Sequence, residues 1–232
     1  MGRKFKIAKN CYGDYDLYKK PTITINPGVT VLVGCNGSGK TTLLHQLKNN
    51  LTENKIPVVS FDNLHDGGHN AVSEASFYND FSFMSQALCS SEGENIILNI
   101  GKLASKLRKF IKTGKAQNGS DQLAKAFTRA VWDDKIDKET NISKERWLLL
   151  DAVDSGLSVD NIVEIKELLF KTILEDSGDC DIYIVVSANE YEIARNENCF
   201  DVYNGKYIKF KDYEEYRNFI MESRKQKNER YN

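Results

Sequence analysis

The sequence has no long apolar run. Nowhere do its 232 residues approach the roughly 18–20 consecutive apolar positions that a membrane helix needs, so no membrane span is expected. The first ten residues, MGRKFKIAKN, alternate charged and apolar side chains and lack the apolar stretch of a secretion signal. An excess of one charge sign is missing too. The 32 Lys and Arg against 33 Asp and Glu leave a net charge of −1, so a role on nucleic acid or acidic membrane would have to rest on a local patch. The five cysteines, at 11, 35, 89, 180 and 199, are an odd set with no close pair. That speaks against a disulfide framework or a zinc site and for a reducing, cytoplasmic setting. The mean hydropathy of −0.49 agrees. There is no internal repeat and no heptad run long enough for a coiled coil.

What is present is an ordinary globular balance, 41% hydrophobic and 28% charged, enough for one sizeable core. Phe5 and Ile7 alternate with lysines, and Thr22 to Ile25 alternates again. Val29 to Val33, Ile56 to Phe61, Trp147 to Leu150 and Asp181 to Val186 are short continuous apolar runs, the pattern of strands buried on both faces. Leu43, Leu44, Leu47 and Leu51 repeat at helical spacing. Ile162, Ile165, Leu169 and Ile173 do the same in what reads as one long amphipathic helix. Phe200 to Phe210 reads as a hairpin around Asn204-Gly205. Asp212 and Glu215 form a capping box for a last helix, so a hairpin and helix fill 199–229.

The strongest chemical signal is Gly34-Cys35-Asn36-Gly37-Ser38-Gly39-Lys40-Thr41-Thr42. It matches the phosphate-loop pattern and sits between a buried strand and an amphipathic helix, the context that pattern requires. Its glycines let backbone N–H groups curl around phosphate oxygens, and the helix N-terminus adds partial positive charge. Asn36, Gly37, Ser38, Gly39, Lys40, Thr41 and Thr42 are therefore the candidate ATP-binding residues. Lys40 reaches for the β- and γ-phosphates, and the Thr41 hydroxyl for Mg2+. The second signal is WLLLDAVDSGLS at 147–158. An aspartate ending a buried strand is where a nucleotide-bound Mg2+ finds a carboxylate, so Asp151 joins Thr41 as candidate metal ligand and Lys40 as candidate catalytic residue. The third is Ser90-Ser91-Glu92-Gly93-Glu94 ahead of a helix, which taken alone is a plain capping box, Ser91 to Glu94.

Together, in this order, the three stretches resemble the ABC-type ATPase superfamily. Ser91, Gly93 and Glu94 resemble its signature motif, and Asp154-Ser155-Gly156-Leu157-Ser158 resembles its D-loop. The resemblance runs over roughly 1–210. It implies one α/β domain over 1–232, a P-loop NTPase of ABC type with a mostly parallel core sheet, an antiparallel β layer and a helical insert at about 92–146. It also implies ATP and Mg2+ as cofactors, and a homodimer in which the signature of one chain caps the γ-phosphate held by the other. From Lys40 to Ser91 is 51 positions and from Ser91 to Asp151 is 60. Transporter subunits show the opposite balance, so the chain looks more like the SMC and RecF-type heads or small stand-alone bacterial and phage members. The stretch 101–115, GKLASKLRKFIKTGK, holds six basic residues and no acid. Its row of Lys102, Lys106 and Lys109 is either a phosphate-backbone contact or a solvated helix face with snorkelling lysines. The partners expected are thus a second copy and either DNA or a partner protein.

The chain departs from the resemblance at two points. The family's catalytic glutamate follows the metal aspartate, and here that position is Ala152, which can neither accept a proton nor orient a water. The family's histidine after the next core strand is replaced by Ser187-Ala188-Asn189. Asp154, Asn189, and His65 with Asp66 are the candidates to position the water or hold the γ-phosphate. A slow ATPase acting as switch or motor and a non-catalytic ATP-gated clamp read by a partner both fit. A transporter subunit fits the spacing poorly, and a small-molecule kinase does not explain the signature and D-loop resemblances. Tyr12, Tyr15 and Tyr18 precede the loop; one of them is a candidate to stack on adenine, and a core or surface position is the plainer reading of each.

Overall fold

The computed structural model describes residues 2–10, 15–62, 107–108, 110–114, 143–155 and 157–230. The signature candidates Ser91, Gly93 and Glu94, most of the expected insert, Lys102, Lys106, Lys109, His65, Asp66 and Tyr12 lie outside the described residues.

Six strands form the main sheet: β3 (Gly28–Val33), β4 (Val58–Asp62), β5 (Glu145–Asp151), β6 (Asp181–Ser187), β7 (Asn198–Asp201) and β8 (Lys206–Ile208), in the spatial order β4-β5-β6-β3-β7-β8. All neighbours are parallel except the edge strand β8, which pairs antiparallel with β7. The Asn204-Gly205 turn joins that last pair, as its dipeptide predicts. A separate antiparallel pair, β1 (Arg3–Lys6) and β2 (Thr22–Ile25), forms the second β layer. The helices are α1 (Lys40–Glu53), α2 (Val159–Glu164), α3 (Lys171–Glu175), α4 (Tyr191–Ala194) and α5 (Tyr213–Arg230), with a π-helical turn at Ile165–Phe170 between α2 and α3. Residues 107–108 and 110–113 are helical as well. No helix among the described residues is long and apolar enough to cross a membrane.

Successive side chains of a strand face opposite ways, and this builds two cores from continuous apolar runs. Leu32, Trp147, Leu149, Tyr183 and Val185 face α1 and the β1–β2 layer. Val31, Val33, Leu148, Leu150, Ile184 and Val186 face α2, α3, α4 and the stretch around Leu107 and Phe110. Leu43, Leu47 and Leu51 of α1 are fully buried, each contributing about 1.5–3 kcal/mol by leaving water. Trp147 anchors the β1–β2 layer. Its ring stacks on Tyr183 at 4.0 Å, meets Phe5 edge-on at 5.2 Å, and its Nε1 donates to Glu145.

One expected helix differs in detail. Ile162, Ile165, Leu169 and Ile173 are all buried, yet the segment is not a single α-helix, because the π turn interrupts it. The spacing alone cannot reveal this, since the three- and four-residue steps of the buried positions suit either winding.

Parallel pairing sends the carboxyl ends of β3 to β7 to one edge of the sheet. β3 is the pivot: the chain leaves it through α1 for the far side, whereas β7 lies on its other flank. Ligands of open α/β sheets bind in the crevice at such a reversal.

Candidate nucleotide site

The Gly34–Thr42 loop leaves β3 at this pivot and turns into α1. Gly39 is the N-cap of α1 with φ +99°, a left-handed conformation that glycine adopts freely. A side chain there would also strike the core, since a Cβ would lie 3.1 Å from the Tyr18 ring. The Tyr18 hydroxyl donates to the Gly39 carbonyl at 2.9 Å, and Tyr18 is 1% exposed. Tyr18 therefore supports the loop from below and is not available to stack on a base. No side chain caps α1, and no acid stands in its first turn. Its N-terminal dipole is left for an anion.

Lys40 is buried at 8% exposure. Its ammonium donates to the carbonyls of Gly34 at 2.8 Å and Cys35 at 3.4 Å. Burial pulls its pKa down, while Cys35, Asp154 and Asp151 hold it up. Thr41 and Asn36 are exposed at the rim, and the Ser38 hydroxyl is buried without a hydrogen-bond partner.

Asp151 ends β5, buried, and accepts a hydrogen bond from the Ser187 hydroxyl at the end of β6. The same hydroxyl oxygen accepts the Ala152 N–H at 2.9 Å. Thr41 and Asp151 offer hydroxyl and carboxylate oxygens, the hard donors that Mg2+ takes, and a buried lysine and an uncapped helix stand beside them for phosphate. The residues present fit MgATP.

Asp154 is 2% exposed. Its Oδ2 accepts the backbone N–H groups of Asn189 and Glu190 at 2.6 and 2.7 Å, whereas its Oδ1 is buried without a partner. Burial pushes the Asp154 carboxyl up, and the two amides and Lys40 pull against it. The structure thus brings Lys40, Asp151 and Asp154 together at one edge. Asn189 spends its N–H on Asp154 and its carbonyl on the Tyr216 hydroxyl, at 3.0 Å. Arg108, from the basic stretch, pairs with Asp176 at 2.7 Å.

Four neighbours escaped sequence reasoning. Asp62 is the register partner of Asp151 on the adjacent strand, and both border a cavity of about 230 Å3 with Leu44, His45, Lys48 and Phe61. The signal was there, since VVSFD ends as WLLLD does. Ser187 stands in the sequence only as part of the Ser187-Ala188-Asn189 departure. Ser223 and Lys227, on α5, carry no motif at all.

A family model described as an AAA domain matches residues 12–231. No curated protein matches. Among solved structures, a nucleotide-free ATP-binding cassette from an ABC transporter is similar at 16% identity, covering 97% of this chain and 99% of that one with a TM-score of 0.44. The family match spans nearly the whole chain, and the mostly parallel sheet with a phosphate loop at its pivot accompanies it: the chain belongs to this AAA-domain family.

Proposed function

We propose that this chain binds ATP with Mg2+ in the Gly34–Thr42 loop, dimerises around the nucleotide and hydrolyses it slowly. One observation carries the reading. The buried Lys40 ammonium lies on the carbonyls of Gly34 and Cys35 beside an uncapped helix N-terminus, with Asp151 and Asp154 as its counter-charges. That is a cation stored inside an anion cradle. Asn36, Gly37, Ser38, Gly39 and Thr42 complete the cradle, and a polyphosphate draws Lys40 off its carbonyls. Thr41 and Asp151 would hold Mg2+, which when bound neutralises charge on the β- and γ-phosphoryl oxygens.

In hydrolysis the oxygen of a water bonds to the γ-phosphorus as the bond to the β–γ bridging oxygen breaks. ADP leaves with that electron pair, and the water gives up a proton. Ala152 cannot take it, so it passes by way of the Asp154 carboxylate or directly to a γ-phosphoryl oxygen and leaves with the released phosphate. Asp154 is the remaining acid on this turn, and its unpartnered Oδ1 and raised proton affinity support it as the group that orients the water. Its Oδ2, bound to two amides, favours a second reading in which Asp154 only braces the turn and the chain is an ATP-gated clamp read by a partner. The capping of γ-phosphate by Ser91, Gly93 and Glu94 of a second chain, and a DNA-related role, rest on the resemblance alone.

The test is phosphate release by the purified chain with Mg-ATP over a range of protein concentrations, beside Lys40→Ala. A Lys40-dependent rate that climbs faster than protein concentration supports a dimeric ATPase. Lys40-dependent binding without release supports the clamp. Binding that survives Lys40→Ala sinks both.

A further inference from the structure

The phosphate loop is held by a helix from the far end of the chain. Two side chains of α5, four residues apart and so on one helix face, reach it across the fold. The Ser223 hydroxyl, 7% exposed, accepts the Cys35 N–H at 3.1 Å. The Lys227 ammonium donates to the Asn36 carbonyl at 2.9 Å. The fit is close, since a Cβ on Gly37 would lie 2.7 Å from the Lys227 Nζ. One turn on, Arg230 donates to the carbonyls of Leu17 and Asp16 at 3.1 and 3.4 Å and stacks 4.1 Å over Tyr203. Beyond Met221, Ser223 is the one buried residue of α5. This half of the helix is therefore docked by polar contacts, and they converge on the phosphate loop and on the strap before β2.

A loop of this kind is expensive to hold open. Its N–H groups turn toward a ligand that is often absent, and its glycines lose the most backbone freedom on ordering. Ordering it in advance strengthens binding by removing that cost from the binding step. We propose that Ser223 and Lys227 are positioning residues for the nucleotide. They fix Cys35–Gly37 in the curve that phosphate needs, so α5 docking and nucleotide binding reinforce each other in both directions. The proposal rests on the reading that the loop binds ATP.

The test uses the full chain as wild type, Ser223→Ala, Lys227→Met, Lys227→Arg and Lys40→Ala. Two quantities are measured: the dissociation constant of a fluorescent ATP analogue, and the alkylation rate of Cys35 read on its own peptide by mass spectrometry. Cys35 is 5% exposed in the loop, so its labelling reports loop opening. Reading the Cys35 peptide alone separates it from the other cysteines, of which Cys199 is fully buried. Losing one hydrogen bond should weaken nucleotide binding about fivefold in Ser223→Ala and in Lys227→Met. Both variants should speed Cys35 labelling without nucleotide. Lys227→Arg, which keeps a donor, should restore both readouts. Lys227 is half-exposed, so its replacement leaves the core intact and folding is not at issue. If wild type binds in a Lys40-dependent way and both variants bind equally well, the positioning role is wrong and the ATP reading stands. If wild type binds no nucleotide, the ATP reading fails and the positioning role falls with it, whatever the labelling does.

Discussion

Ser187 holds Asp151 in place: its hydroxyl donates to the Asp151 carboxylate while its oxygen receives the N–H of Ala152. A group that orients a metal ligand from behind typically matters about 10–100-fold in metal affinity. Ser187→Ala should therefore raise the Mg2+ concentration needed for half-maximal nucleotide binding by about tenfold, with little change in melting temperature. A titration of nucleotide binding against Mg2+ reads this directly. An unchanged midpoint would mean that Asp151 needs no orientation.

Ala152 has φ +52°, a left-handed conformation that a side chain resists. Glycine relieves about 1 kcal/mol of such strain, so Ala152→Gly should raise the melting temperature by about 2–4 °C. Ala152→Glu puts a carboxylate directly after Asp151 and, on the proposed hydrolysis, should raise the rate of phosphate release by about 10²–10⁴. No gain would point to a water oriented from elsewhere, with Asp154 the first residue to examine.

Asp154 should give stability a pH signature. Burial raises its carboxyl, so the fold prefers the protonated form. That preference adds stability below the ordinary value of 3.8 and is lost as pH rises through the raised value. Asp154→Asn stays neutral throughout and keeps an oxygen for the Asn189 and Glu190 amides. The melting temperature of the variant relative to wild type should thus climb with pH through the mildly acidic range and then level off. A difference that is flat from about pH 4 to 8 would deny the raised carboxyl.

Trp147 joins two layers through Tyr183 and Phe5. Trp147→Ala should cost about 3–5 kcal/mol in chemical denaturation, as large aromatic truncations in a core do. Trp147→Phe keeps a ring but loses the donor to Glu145 and should fall well short of that.

Much of this fold was legible because its signals are local. The continuous runs at Val29–Val33 and Ile182–Val186 announce strands covered on both faces, and the leucines of α1 follow one stripe. Asp212 and Glu215 announce the start of α5, and the Glu215 N–H does donate to Asp212 at 2.9 Å. Lys40, Asp151 and Asp154 stand out because each lies within a motif. Asp62 and Ser187 were harder to find, since their meaning comes from strand register, which pairs residues far apart in sequence. Ser223 and Lys227 were out of reach. They lie 188 and 191 positions from the loop residues they hold, and a serine and a lysine on a polar helix look like solvent-facing residues until the helix is docked. Tyr18 is a core tyrosine, one of the two roles open to it in the sequence, because an aromatic residue ahead of a phosphate loop suits a base and a core equally well.

The π turn at Ile165–Phe170 acts as a phase shifter. Such a turn is an α-helix that has absorbed one additional residue, and one residue is about 100° of helical rotation. The insertion thus offsets the faces of α2 and α3 relative to one another, so that Ile162, Ile165, Leu169 and Ile173 all reach the same core. Deleting a single residue from that turn would let the segment relax to a continuous α-helix while swinging the turn's neighbours around the axis. The buried stripe from Ile162 to Ile173 would then lose its common face on the sheet, while Asp154 keeps its hold on the Asn189 and Glu190 amides.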